Sequence, residues 1–133
     1  MRNLNCILLV DDDNATNMLN SFVIKKMELT KTIKVVLNGS EALDYLQSIS
    51  EEEQCPEFIF LDINMPKMDG WEFLKEYREM NVERQRAKVI LLTTSENPDD
   101  IEKAKNYPEI QEYCNKPLTK EIILNLVNKY YPE

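Results

Sequence analysis

The sequence predicts an α/β protein built as a doubly wound, five-stranded parallel sheet flanked by five helices. Two observations predict this fold class. Five short apolar runs alternate along the chain with segments whose apolar residues recur at helical spacing. Two of the five runs are apolar throughout and a third is apolar up to its last residue, as strands covered on both faces tend to be. Strict alternation of strand and helix favours parallel strands joined by right-handed crossovers.

The first two strand-helix units each combine an apolar run with a stripe of apolar residues. The two predicted strands are Cys6–Val10, which reads CILLV, and Ile33–Leu37, which reads IKVVL. The stripe after the first strand comprises Ala15, Met18, Leu19, Phe22 and Val23, and the stripe after the second comprises Ala42, Leu43, Leu46 and Ile49. Spacings of three and four residues place each stripe on one side of a helix.

The last three units repeat the pattern. Their predicted strands are Phe58–Leu61, Val89–Thr93 and Glu112–Asn115. Trp71, Leu74 and Tyr77 predict the third helix, in which Trp71, Phe73 and Leu74 are expected to serve the core rather than a ligand. Asn97 and Pro98 are typical of an N-cap and a first helical residue. Thr119 is expected to cap a last helix whose apolar residues are Ile122, Ile123, Leu126 and Val127.

The composition is that of a globular domain without a nucleic-acid or membrane partner. With 43% hydrophobic and 30% charged residues, we expect a single domain over residues 1–133 that builds its own core. The formal charge of −8 argues against nucleic-acid binding. No apolar run approaches the roughly 18 residues of a bilayer span, and residues 1–5 lack a signal-peptide core. These features predict a cytoplasmic protein.

The cysteines predict free thiols. Cys6, Cys55 and Cys114 are odd in number, none lies in a CxxC pair, and two of them fall in apolar runs. Reduced, buried thiols are typical of a cytosolic protein, and a metal or redox role is the minor alternative.

Polar side chains are predicted to gather at one edge of the sheet. In open α/β sheets, ligands bind beyond the carboxyl ends of the strands. The residues at those ends are Asp11, Asp12 and Asp13 after the first strand, Asp62 after the third, Thr93, Thr94 and Ser95 at the fourth, and Lys116 after the fifth.

Such an edge favours a divalent cation. Close carboxylates repel by roughly 4 kcal/mol per pair at an effective dielectric near 20, and a divalent cation relieves that repulsion. The donors are all oxygens, which is the ligand set that Mg²⁺ prefers. With Lys116 opposite, a Mg²⁺ site with open positions would stabilise charge on a transferring phosphoryl group. Asp62 would then be the nucleophile and would become an aspartyl phosphate.

Four segments carry a family resemblance. ILLVDDD, FLDINMPKMDG, VILLTTS and NKPLT resemble the signature segments of the receiver domain of bacterial two-component response regulators, which has a flavodoxin-like fold. NGSEAL is similar to the start of the family's second helix. The resemblance runs from about Cys6 to Tyr130. The four segments in this order identify the family specifically, whereas any one of them alone would be weak evidence for it.

The resemblance implies a set of acidic and carbonyl ligands. Asp62 matches the phosphoacceptor of the family. Asp12 matches the carboxylate that binds magnesium directly, and Asp11 the one that acts through a metal-bound water. Asn64 matches the position whose backbone carbonyl ligates the metal. Asp13, by contrast, is expected to be a helix cap.

The resemblance also implies residues that respond to phosphorylation. Thr93 matches the hydroxyl that bonds the phosphoryl group, and Lys116 the amine that pairs with its oxygens. Pro117 matches a proline that follows a cis peptide bond, and Tyr113 falls at the aromatic switch position. The chain departs from the family in two places: YPEIQEYCNKP replaces a segment in which many receivers have a Gly-Ala pair, and Thr94 stands where a small residue is common.

The expected function is that of a phosphoacceptor switch, which catalyses only its own phosphorylation and dephosphorylation. The chain contains no histidine, so a sensor histidine kinase or a histidine phosphotransfer protein must supply the phosphoryl group. Only YYPE follows the last predicted helix, so we expect no effector domain and an output through contact with a downstream protein or through a homodimer. An intermediate in a phosphorelay and a stand-alone switch both remain open.

Other function classes fit less well. Haloacid dehalogenase-like phosphatases place a second acid two residues after their nucleophile, where this chain has Asn64. With Gly39 and Gly70 as its only glycines, the chain has no glycine-rich loop for a nucleotide or a flavin. A phosphate-independent binding module remains a further alternative.

Overall fold

A computed structural model of the protein describes residues 3–50, 54–80 and 87–132. Strands and helices alternate strictly along these residues. The strands are β1 (Leu4–Val10), β2 (Thr30–Val36), β3 (Phe58–Leu61), β4 (Lys88–Thr93) and β5 (Ile110–Asn115). The helices are α1 (Asn14–Lys26), α2 (Gly39–Ser48), α3 (Gly70–Arg78), α4 (Pro98–Ala104) and α5 (Lys120–Tyr130).

The strands form one parallel sheet in the order β2-β1-β3-β4-β5. The strand order reverses between β1 and β3, so the helices are divided between the two faces of the sheet and the carboxyl ends of these two strands flank a switch point. This arrangement confirms the predicted doubly wound sheet of five strands and five helices.

Two apolar layers cover the two faces of the sheet. One layer packs α2, α3 and α4 against the sheet through side chains such as Leu46, Phe73 and Ala104. The other packs α1 and α5 through Ile24 and Leu126. All four residues of β3 are buried, which explains why FIFL has no polar alternation.

Side-chain caps begin every helix. Asp13 caps α1 by accepting hydrogen bonds from the backbone N–H groups of Ala15 and Thr16. The predicted caps Asn97, followed by Pro98, and Thr119 begin α4 and α5. The expectations for Asp13, Asn97, Pro98 and Thr119 are therefore confirmed.

The buried face of α1 is not the predicted apolar stripe. The structure buries Asn17, Asn20 and Ile24, whereas Met18 and Phe22 are 73% and 57% exposed. Asn17 faces inward because its side-chain amide donates a 2.8 Å hydrogen bond to the Asp11 carbonyl. Periodicity predicted the helix correctly, but it did not predict which face is buried.

The first strand begins at Leu4 rather than Cys6, and the two edge strands also begin earlier than predicted. β2 begins at Thr30 rather than Ile33 and ends at Val36, and β5 begins at Ile110 rather than Glu112. In β2 the extension pairs polar residues with β1, as in the Leu4–Thr30 pair. Backbone hydrogen bonds continue beyond the apolar run, so hydrophobicity alone places these ends too late.

The cysteines are all free thiols. Cys6 is buried as expected, and Cys55 and Cys114 are partly buried. Burial raises the pKa of the Cys6 and Cys114 thiols, which keeps them protonated. Among the described residues, no helix combines the length and the apolar character that crossing a membrane requires.

Candidate functional site

The ends of β1 and β3 place Asp11 and Asp62 next to each other. The sheet ladder extends one hydrogen bond beyond each strand, because Asp11 N donates to Val36 O at 3.1 Å and Asp62 N donates to Val10 O at 3.0 Å. Both residues are buried, with 5% and 8% of their surface exposed. The rigid centre of the sheet therefore positions two acidic side chains.

Lys116 places its ammonium group between these carboxylates. Its backbone N–H donates to Thr93 O at 3.0 Å, which keeps the end of β5 beside the end of β4. Lys116 Nζ lies 2.6 Å from Asp11 Oδ2 and 3.3 Å from Asp62 Oδ2. The Lys116–Pro117 peptide bond is cis, as the family resemblance implies.

Asp12 completes a cluster of three acids. One carboxylate oxygen from each of Asp11, Asp12 and Asp62 lies within 4.8 Å of the others. Asp12 is exposed while the other two are buried, so the cluster opens to solvent on one side. A set of hard oxygen donors with one open side fits Mg²⁺, which binds through one or two carboxylates and retains waters.

Backbone amides orient the two buried carboxylates. Asp62 Oδ1 accepts a 2.9 Å hydrogen bond from Ile63 N, and Asp11 Oδ1 accepts one of 2.9 Å from Asp13 N. The Oδ2 atoms of Asp11 and Asp62 contact Lys116. Because a carboxylate offers about four lone-pair positions, both side chains keep capacity for another ligand.

The electrostatics favour neutralisation of Asp62. Burial raises the pKa of Asp62, and the adjacent Asp11 carboxylate raises it further, although Lys116 opposes both effects. Burial acts to lower the pKa of Lys116, but the hydrogen bond to Asp11 and the charge of Asp62 raise it overall. Lys116 therefore stays charged, and Asp62 carries its negative charge at a cost. A cation or a phosphoryl group that spreads this charge would be favoured at this position.

Thr93 and Tyr113 meet at Ser95. Thr93 is 1% exposed at the end of β4, and its Oγ1 accepts a 3.2 Å hydrogen bond from Ser95 N. The Tyr113 hydroxyl donates to Ser95 O at 3.0 Å. Ser95 Oγ donates to Asp100 Oδ2 of α4 at 2.6 Å. Ser95 thus connects the end of β4 with both β5 and α4.

The structure brings together most of the residues singled out in the sequence. Asp11, Asp12, Asp62 and Lys116 converge directly. Asn64 is exposed in the loop that follows β3. Thr94 is exposed and lines a cleft of about 250 Å³ beside Lys116 and Pro117.

Two contacts near the site were not predicted. Asn17 bonds the Asp11 carbonyl, and Ser95 joins Thr93 to α4. The apolar stripe of α1 pointed away from Asn17, so no sequence signal marked it. Ser95 stood among the hydroxyls after β4, but its partners follow from the loop geometry.

Comparison with known proteins finds a matching family and two similar regulatory proteins. The profile of the family described as "Response regulator receiver domain" matches residues 7–128. The "Probable methanogenesis regulatory protein FilR2" of Methanothrix harundinacea (strain 6Ac) is 35% identical over 125 residues, which are 92% of this chain and 79% of that protein. Response regulator Rcp1 of Synechocystis sp. (strain ATCC 27184 / PCC 6803 / Kazusa) is 38% identical over 97 residues, or 71% of this chain and 65% of that protein.

Solved structures show the same fold. The crystal structure of a two component response regulator from Cytophaga hutchinsonii matches with a TM-score of 0.89 at 32% identity, covering 99% of this chain and 100% of that chain. The Mn²⁺-bound form of response regulator Rcp1 matches with a TM-score of 0.73 at 30% identity, covering 96% of this chain and 94% of that chain.

Proposed function

Because this chain belongs to the response regulator receiver domain family of two-component signalling, we propose that its Asp62 accepts the phosphoryl group that carries the signal. The observation that carries this proposal is the position of the Asp62 carboxylate. It stands at the end of the buried strand β3, 3.3 Å from Lys116 Nζ and within the cluster formed with Asp11 and Asp12. A fixed nucleophile beside a cation and two further acids is the arrangement that phosphoryl transfer requires.

The proposed reaction is an in-line displacement at phosphorus. A carboxylate oxygen of Asp62 forms the new O–P bond while the P–N bond of a phosphohistidine breaks. The bonding electron pair goes to the imidazole nitrogen, which takes up a proton. Lys116 then pairs with an oxygen of the transferred group, because its ammonium already lies against Asp62.

The acid cluster supports Mg²⁺ as the cofactor. We infer that Asp12, Asp62 and the Asn64 carbonyl would hold the ion directly and that Asp11 would act through a water. When bound, Mg²⁺ supplies positive charge that neutralises the transferring phosphoryl group. The likeness to response regulator Rcp1, which is known in a Mn²⁺-bound form, supports a divalent ion at this edge. Asp11 and Asp62 keep the orientation that their backbone hydrogen bonds impose.

Phosphorylation would be converted into a conformational change through Thr93 and Tyr113. The phosphoryl group adds nearly two negative charges at Asp62. We infer that the Thr93 hydroxyl turns from Ser95 toward this group and that Tyr113 occupies the space it leaves. Ser95 supports this path, because it bonds both Thr93 and Tyr113. The protein would then act as a switch, with no catalysis beyond its own phosphorylation and dephosphorylation.

The partners are inferred from the chemistry. The donor would be a sensor histidine kinase or a histidine phosphotransfer protein, because the chain contains no histidine of its own. The output would be a contact with another protein that distinguishes the two states of the switch.

Intact-protein mass measurement with acetyl phosphate tests the proposal. We expect a single phosphate adduct that requires Mg²⁺ and is absent from Asp62→Asn. Asp13→Asn is the matched control, because Asn also caps helices and the side chain at position 13 lies outside the acid cluster. Undiminished labelling of Asp62→Asn would contradict the proposal, and continuous hydrolysis of a phosphomonoester without an adduct would indicate a phosphatase.

A further inference from the structure

Helix α4 has little anchorage in the core. It contains seven residues, of which Ala104 is the buried one. Helices this short are marginal in water unless tertiary contacts support them. The position of α4 therefore depends on the contacts made at its two ends.

The N-terminal end of α4 is tied to the proposed phosphorylation site. Ser95 Oγ donates to Asp100 Oδ2 in the first turn of α4 at 2.6 Å. The backbone N–H of the same serine donates to Thr93 Oγ1 at 3.2 Å. Ser95 therefore connects α4 to the Thr93 hydroxyl, which is the group expected to move toward a phosphoryl group.

The C-terminal end of α4 is tied to α3 by a cluster of rings and cations. The rings of Trp71 and Tyr107 stack with their centroids 5.4 Å apart. Arg78 Cζ lies 4.5 Å from the centroid of Tyr107, and Lys103 Nζ lies 4.8 Å from that of Trp71. We name these four residues the α3–α4 clamp. Arg78 also donates a 2.9 Å hydrogen bond to Asn106 O, just beyond α4.

The clamp rests on a rigid part of the molecule. Trp71 and Arg78 are about two helical turns apart, so they lie on the same side of α3. Helix α3 buries Phe73 and Leu74 and begins with a capping box. Its first residue, Gly70, donates a 2.8 Å hydrogen bond to Ile63 O directly after the phosphoacceptor. The base of the clamp is therefore fixed relative to β3.

We propose that the α3–α4 clamp is a pivot: when Asp62 is phosphorylated, α4 keeps its C-terminal end on α3 while its N-terminal end leaves Ser95. This inference rests on the proposed function and adds which end of α4 moves. The two ends differ in what phosphorylation changes. Ser95, which bonds Asp100 of α4, also bonds Thr93 Oγ1, whereas the ring stack, the two cation contacts and the Arg78–Asn106 hydrogen bond of the clamp join α3 to α4 and the turn after it.

The single tryptophan makes the pivot measurable. Trp71 is the only tryptophan in the chain, so all tryptophan emission comes from a residue of the clamp. Amide hydrogen exchange, followed by NMR, separates the two ends of α4. Asp100 N and Ile101 N donate to Asn97 O at the moving end, and Asn106 N and Tyr107 N donate to Lys103 O and Ala104 O at the fixed end. The probe is BeF₃⁻ with Mg²⁺, a stable mimic of an aspartyl phosphate.

With BeF₃⁻ and Mg²⁺, we expect exchange at Asp100 and Ile101 to become at least about fivefold faster, while exchange at Asn106 and the emission of Trp71 stay unchanged. Tyr107→Leu should shift the Trp71 emission and speed exchange at Asn106 about tenfold without any phosphate mimic. Tyr107→Phe keeps the stacked ring and should behave like the wild type.

Two lysines of the same segment provide a second matched pair. Lys103→Gln removes a cation from the Trp71 ring and should change its emission. Lys105→Gln removes a cation that instead pairs with Glu102 on the surface, so the emission should not change.

Two results would overturn the pivot while leaving the proposed function intact. One is that BeF₃⁻ with Mg²⁺ shifts the Trp71 emission of the wild type as much as Tyr107→Leu does. The other is a phosphate adduct on Asp62 without faster exchange at Asp100 and Ile101. Absence of any adduct would overturn the proposed function and the pivot with it.

Discussion

Replacement of Lys116 by glutamine removes the ammonium group that lies between two buried carboxylates. Lys116 Nζ is 2.6 Å from Asp11 and 3.3 Å from Asp62, and its side chain is 13% exposed. Glutamine keeps a polar side chain of similar length but leaves the acids facing each other without compensation. We expect the free energy of unfolding to fall, because the like charges then repel inside a partly desolvated site.

The magnitude follows from the geometry of Lys116. At an effective dielectric near 20, each of its two ion pairs attracts by roughly 5 to 6 kcal/mol, and the desolvation of three ions offsets most of that gain. Removing one partner of a buried pair typically costs about 3 to 5 kcal/mol. The exposed Asp12 shows that solvent reaches one side of the cluster, so we expect a loss of about 3 kcal/mol at pH 7.

Urea denaturation of Lys116→Gln with EDTA, and again with excess Mg²⁺, measures this loss. Mg²⁺ should restore more stability to the variant than it adds to the wild type, because it binds the native acid cluster without competition from the ammonium group. Lys129→Gln is the control: it removes a lysine that pairs with Glu112 on the surface, and it should cause no resolvable change. A loss from Lys116→Gln no larger than that of the control, or no differential effect of Mg²⁺, would refute the reasoning.

Three further substitutions give distinct expectations. Burial raises the pKa of Asp62, so the folded state holds this proton more tightly than the unfolded state. The negative charge of Asp62 therefore destabilises the folded state fully at pH 7 and not at all in acid, where the carboxyl is protonated. Asp62→Asn should raise the free energy of unfolding at pH 7, and this gain should shrink when denaturation is measured at pH values approaching 4. Gly70→Ala would place a Cβ 2.6 Å from Asp62 O and should cost about 2 kcal/mol in urea denaturation while lowering the yield of phosphate adduct. Asp69→Ala removes the capping box of α3 and should cost about 1 kcal/mol, whereas Asp69→Asn should retain most of the stability; equal losses in the two Asp69 variants would contradict the capping role.

The sheet and the core of the site could be predicted because both depend on local patterns. Continuous apolar runs such as FIFL mark strands that are covered on both faces, and their order along the chain implies parallel pairing. Once the strands are parallel, their carboxyl ends meet at one edge. That step alone brings Asp11, Asp62 and Lys116 together, and the structure confirms it.

Features that depend on contacts between distant segments could not be predicted. The apolar stripe of α1 placed Met18 and Phe22 inside, but the structure exposes both and instead buries Asn17, which bonds Asp11 O across the loop after β1. The α3–α4 clamp joins Trp71 to Tyr107 across 36 positions of sequence, and neither residue carries a local signal for the other. Edge-strand ends likewise depend on backbone pairing rather than on side-chain character.

The measurement that tests the central claim most directly is the location of the acyl phosphate. Borohydride reduces an aspartyl phosphate to homoserine, and peptide mass spectrometry after treatment with acetyl phosphate and Mg²⁺ identifies the residue that was converted. The account predicts homoserine at position 62, and no homoserine when Mg²⁺ is chelated before acetyl phosphate is added. Conversion at position 11 or 12 instead, or conversion at position 62 that does not require a divalent ion, would contradict it.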